Sequence, residues 1–196
     1  MKKKLMTILT LLTILNVQPG LAKSRSKSDT CNVIPTLQNS NKYKKHIENT
    51  IWVVPPHSLL AFEYEEGTHS TVSDQTVWVI DSFKKGYFFG HSYESINQTN
   101  LSQMKIMGSV TDLGDVYITF YPLDGSPESK VITGLGKFLK KNGQYVFLMQ
   151  MNSSPTNSSG LSHWAYMVSV NKESCFYQNL PGENMSLPDF LKQFEE

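Results

Sequence analysis

The chain has 196 residues, 39% of them hydrophobic and 18% charged, and its 18 lysines and arginines nearly balance 17 acids to leave a net charge of +1. That length suits one domain with a real core and is too short for two. No basic stripe of the kind a nucleic-acid footprint needs is present, so nucleic acid is not an expected partner.

Met1 is followed by Lys2, Lys3 and Lys4, by an apolar run from Leu5 to Val17, and by Pro19-Gly20-Leu21-Ala22. A positive start, an apolar run too short to span a bilayer and small residues before a cut after Ala22 make the layout of a secretory signal peptide. The protein is therefore expected to be exported, periplasmic or extracellular, with residues 1–22 removed and no transmembrane anchor. The lysine-led leader suggests a bacterial exporter. Losing its three lysines takes the net charge from +1 to about -2.

Residues 23–49 are polar and read as an extended lead-in, with a helical turn near Lys42 to Glu48. Residues 50–196 are expected to form a single β-domain. Cys31 and Cys175 are the only cysteines. In an exported chain this even count points to one disulfide, closing nearly the whole mature sequence and worth on the order of 5 kcal/mol in the chain-entropy model. Neither cysteine has a cysteine or histidine at metal-ligand spacing.

From Ile51 the pattern becomes that of strands. Ile51 to Val54 is ended by Pro55-Pro56, and Ser58 to Glu65 follows, with Leu60, Phe62 and Tyr64 on one face and Ala61, Glu63 and Glu65 on the other. Glu66 to Asp74 reads as a polar loop. Gln75 to Tyr93 reads as a hairpin turning at Lys85-Gly86, with Trp78 and Ile80 sharing a face expected to be core. Across that turn Tyr87, Phe89, His91 and Tyr93 lie opposite Phe88, Gly90 and Ser92. Ser95 to Gln103 reads as loop, and strands follow at Met104 to Thr111 and Asp115 to Tyr121. After an Asp124-Gly125 turn signal, Lys130 to Leu139 pairs with Gln144 to Met151 through Lys141-Asn142-Gly143, a strong hairpin cue. Asn152 to Gly160 is loop by composition, and His163 to Val170 is the last strand. Met185 to Glu196 reads as a short helix capped by Ser186, with Pro188 in its first turn.

About nine strands joined mostly by hairpins, without βαβ spacing, predict an all-β antiparallel meander closed into a small barrel with a short C-terminal helix; a sandwich is the alternative. Gly134 and Gly136 share a strand face, where they permit a sharp bend or leave room for a ligand or a neighbouring ring.

Chemical motifs are few. His46, His57, His69, His91 and His163 show no HxH, HxxxH or HExxH spacing, so no metal site is expected. There is no G-x-S-x-G elbow, phosphate-binding glycine loop or dinucleotide fingerprint, so neither catalytic residues nor a cofactor is assigned. His91 and His163 could meet in a lumen as acid, base or ligand, or be half-buried side chains held by carbonyls and tyrosines. Glu63 and Glu65 read as a solvated stripe on the exterior.

The aromatic load says more. Tyr87, Phe89, His91, Tyr93, Tyr117 and Trp164 are the expected ligand-binding set, since strands apolar on both faces need a second cover: a lumen ligand, a protein partner or another copy of the chain. The order of signal peptide, meander strands and C-terminal helix resembles the calycin group of barrels (lipocalins, avidins and relatives) over about Thr50 to Val170, and loosely the allene oxide cyclase and dirigent-type barrels. The likeness is architectural. The Gly-x-Trp of lipocalins is absent, because Asn49-Thr50 precede Ile51-Trp52, and no functional residue is carried over. The aromatic strand faces and the Gly134/Gly136 pair lead to the expectation of an exported, non-enzymatic barrel binding a small apolar or aromatic ligand in its lumen. Alternatives are a secreted effector or inhibitor acting through protein–protein contact, and a barrel isomerase or cyclase using a lumen histidine.

Overall fold

A computed structural model describes residues 41–123, 131–153 and 159–195. The leader, Cys31 and the Asp124-Gly125 turn signal lie outside the described residues. Among those described, nine antiparallel strands form one closed sheet: β1 (Thr50–Val53), β2 (Leu60–Glu65), β3 (Thr68–Lys84), β4 (Tyr87–Ile96), β5 (Asn100–Val110), β6 (Asp115–Pro122), β7 (Ile132–Lys141), β8 (Gln144–Ser153) and β9 (Ser159–Val170). From β3 to β9 each strand pairs with the next, and β2 closes the circle by pairing with both β3 and β9. β1 also pairs with both β3 and β9, so β1 and β2 are two halves of one stave. Nine strands thus make eight staves. Pro55 and the 3₁₀ turn Pro56–Ser58 break that stave, as prolines must, since they cannot donate to a ladder.

Turn chemistry agrees with the sequence. Lys85-Gly86 and Asn142-Gly143 both take paired positive φ angles, 51° and 84° in the first and 51° and 86° in the second, as two-residue hairpins require. A third such turn, Glu66-Gly67, joins β2 to β3. The expected loop 66–74 is therefore mostly strand. Likewise β4 and β5 run on to leave only residues 97–99 between them.

The lumen holds the main core. Trp52, Trp78, Phe88, Phe138 and Phe147 are fully or almost fully buried there, with Met149 and Met167 filling between the rings. Trp78 and Ile80 are core as expected. A short helix, α1 (Lys44–Ile47), closes one end: Ile47 is fully buried and Tyr43 packs edge-on against Phe138 at 5.1 Å. The packed unit therefore begins ahead of Thr50. A second, external core covers the backs of β1, β3 and β9, where Val53, Val77 and Val170 meet Leu180, Leu187 and Phe190. The last two lie on α3 (Leu187–Lys192), which follows a turn of helix, α2 (Cys175–Gln178), and is capped by Ser186, whose Oγ accepts from Asp189 N at 3.3 Å. The C-terminal helix stands as expected.

The space beside Gly134 and Gly136 is taken by protein. A Cβ on Gly134 would sit 2.8 Å from Ile118 Cγ2, and one on Gly136 only 2.0 Å from the Leu148 carbonyl oxygen. The Gly136 contact is with backbone, which cannot rotate away. Gly136→Ala should lower stability by about 1–3 kcal/mol, read as a fall in the urea midpoint, while Leu135→Ala on the exposed face should change it by less than about 1 kcal/mol. Equal midpoints for the two variants would refute the close approach.

Candidate functional site

At the end of the barrel opposite α1 the lumen is polar and open. The inward phase of β3 places Thr76 and Asp74 beyond Trp78, and that of β4 places Ser92 and Glu94 beyond Phe88. Glu94 lies directly between Thr76 on β3 and Ser102 on β5 in the ladder. From β9, His163 enters at the same depth, paired in register with Ala61 and Met151.

Asp74 and His163 form a fully buried ion pair, Nδ1 to Oδ2 at 2.8 Å, with an angle too oblique for a hydrogen bond. The other ring nitrogen, Nε2, donates to the Ser58 carbonyl at 2.6 Å. The broken stave explains this contact: the 3₁₀ turn after Pro55 delivers the carbonyl of Ser58 to the ring. Both ring nitrogens thus face acceptors, an arrangement that favours the charged form of the ring. Thr76 Oγ1 donates to Asp74 Oδ1 at 2.7 Å. Burial of the ring opposes its charge, but Asp74 and the Ser58 carbonyl together hold His163 above its ordinary pKa.

Glu94 stands one layer further out. Ser102 Oγ donates to its Oε2 at 2.8 Å, and Oε1 takes no hydrogen bond from the described residues. Solvent reaches part of the residue, yet protein surrounds its carboxyl on nearly every side. Burial, and then the negative charge of Asp74, push it up to about 7; Ser102 and His163 pull the other way.

Two spaces share these walls. The inner chamber is bounded by Asp74, Thr76, Ser92, Glu94 and His163 on its polar side and by Met104, Phe120, Ile132, Met151 and Leu161 on its apolar side, and has about 20 Å³ of free volume, room for a single water. The outer cavity holds about 330 Å³ and reaches the mouth, where Met104, Ile132 and Leu161 supply apolar walls and Glu63 and Ser102 polar edges. That volume suits a small ligand. No group of three or more candidate metal ligands occurs among the described residues.

The expected ligand-binding set lies elsewhere. Tyr87, Phe89, Tyr117 and Trp164 are exposed on the outer face, His91 is half-buried there beside Asp81 at 3.4 Å, and Tyr93 packs on Phe194 under α3. None of the six lines the lumen. The two histidines do not meet, because His163 points in and His91 out. Glu63, placed on the exterior by sequence, faces the mouth, whereas Glu65 is exposed. Cys175 is exposed and carries a free thiol, and its expected partner Cys31 is outside the described residues. Asp74 and Glu94 escape a sequence search by a narrow margin: the strands drawn from Gln75 and to Tyr93 stop one residue short of each.

No protein-family model matches the chain, nor does any curated protein or solved structure.

Because folding raises the pKa of Glu94, the folded state keeps a proton that the unfolded chain releases above its ordinary value of 4.5, and stability falls as pH rises from there to about 7. The fall amounts to about 3 kcal/mol at most. His163, raised in the folded state, adds stability that is lost at higher pH, as its folded pKa is passed. Urea titrations of Glu94→Gln should lose the decline between pH 4.5 and 7 and keep the one above it. An unaltered profile in the variant would show that Glu94 is not held in its neutral form.

Proposed function

We propose that the protein is an exported, calycin-like barrel that binds a small, largely apolar ligand in the open end of its lumen, without catalysing a reaction. The carrying observation is the fully buried Asp74–His163 pair on the floor of an apolar-walled cavity. Desolvating two charges costs several kcal/mol, and apolar residues of similar volume often stabilise as well or better. The closed end shows that this chain can fill its lumen with rings and thioethers. Polar groups retained beside a cavity are where a binding site is expected. Export rests on the leader, Met1 to Ala22.

Protein recovered from the exported fraction, its chain beginning at Lys23, should bind the neutral fluorophore N-phenyl-1-naphthylamine saturably. Ile132→Trp, which fills the outer cavity, should weaken binding at least tenfold, while Leu135→Ala should not. Absence of saturable binding, or equal binding by Ile132→Trp, would sink the proposal.

A second reading rests on the outside of the barrel. Trp164, Leu135, Tyr117 and Tyr87 lie in one register row across β9, β7, β6 and β4, each at least half exposed (62%, 63%, 50% and 54%). Gln150 on β8 and Ser109 on β5 interrupt the row, but its large exposed side chains suit a protein partner or a second copy of the chain. Sedimentation should show self-association that Leu135→Glu abolishes; a monomer at the highest soluble concentration would exclude the second copy.

A further inference from the structure

We infer that the ligand is a primary alkylamine, its ammonium seated in the inner chamber between Asp74 and Glu94 and its chain in the outer cavity. This rests on the binding reading above. The chamber matches one water in size, and an ammonium group is of similar size. Its walls offer acceptors. Asp74, fully buried, holds its Oδ2 2.8 Å from His163 Nδ1 without taking a well-angled hydrogen bond from it, and Glu94 presents an Oε1 that takes none from the described residues. An ammonium brings three donors and no acceptor.

The charges facing Glu94 point the same way. β3 contributes Asp74, β9 the imidazolium of His163 and β2 the rim carboxylate Glu63, whereas the cavity walls from β5, β6, β7 and β8 carry no titratable side chain among the described residues. Three carboxyl groups thus stand against one cation, and both N–H groups of that cation are already directed at Ser58 and Asp74. A carboxylate ligand would meet repulsion, with no free cation among the described residues that line the cavity. An alcohol would leave one acceptor unmatched. The apolar walls at Met104, Ile132 and Leu161 take a chain of a few methylenes.

Seating the ammonium requires Glu94 in its ionised form, so binding releases a proton wherever Glu94 is protonated beforehand. Affinity should rise with pH by up to about tenfold per unit below the Glu94 titration and level off above it.

Calorimetry of the intact protein with n-hexylamine, n-hexanol and hexanoate at pH 5.5 and 8 tests this. At pH 8 hexylamine should bind at least tenfold more tightly than hexanol, and hexanoate most weakly. The margin should shrink at pH 5.5, with proton release seen as a dependence of the heat on buffer, and should vanish in Glu94→Gln while hexanol binding persists. Should Glu94→Gln fail to fold, the pH and buffer measurements on the unaltered protein decide alone. Hexanol or hexanoate binding as tightly as hexylamine at pH 8 would overturn the amine assignment, and an amine preference that survives Glu94→Gln would overturn the seat between Asp74 and Glu94; either result leaves the cavity reading standing. If neither the three ligands nor N-phenyl-1-naphthylamine bind, the cavity reading fails and takes this inference with it.

Discussion

The barrel depends on one long strand. β3 runs for 17 residues and pairs with β1, β2 and β4, so it both closes the cylinder and carries the broken stave. A strand of that length cannot stay straight around a small cylinder, and it is bent at a bulge between Ile80 and Ser82. Its period of two then settles everything inward of it. Ile80, Trp78, Thr76 and Asp74 descend one face in order, from apolar at the plugged end to ionised at the open one. Closure also removes unpaired strand edges, the main hazard of a meander.

Much of this is legible in the amino-acid order, for local reasons. Lys85-Gly86 and Asn142-Gly143 supply the positive φ angles that two-residue turns demand, and Ser186 with Pro188 marks a helix start without reference to anything distant. What is not legible is non-local. β4 bears aromatic residues on both faces, Phe88 on one and Tyr87 and Phe89 on the other, and only the pairing with β3 and β5 decides that Phe88 goes in. Residues 68–71 look like loop because, at the rim of the barrel, neither of their faces is buried. They are strand because β2 pairs with them, which composition does not report.

The two ends of the lumen obey different physics. At the plugged end Phe138 stacks on Tyr145 at 4.9 Å and meets Phe147 at 4.6 Å, while the polar tips of Trp52 and Tyr43 are met by the Thr50 hydroxyl and the Asp112 carbonyl. At the open end a histidine ring and a carboxylate are buried together, the carboxylate accepting from the Thr76 hydroxyl and the ring donating to the Ser58 carbonyl. Such a pair survives only because each member is anchored from outside the pair. The Ser58 anchor exists because Pro55 and Pro56 interrupt a stave, so a feature that weakens the sheet supports the charge.

The alternation of β3 has one more effect at Asp74-Gln75-Thr76. The first and third side chains floor the chamber, while the middle one turns outward, where Gln75 Oε1 accepts from Gly182 N at 2.8 Å and its Nε2 donates to the Val54 carbonyl at 3.2 Å. Inside and outside are separated there by the thickness of a single strand. The tripeptide is a shared bearing: any shift of its backbone that answers a change of charge in the chamber must also move the seat of the C-terminal segment, 107 residues further along the chain.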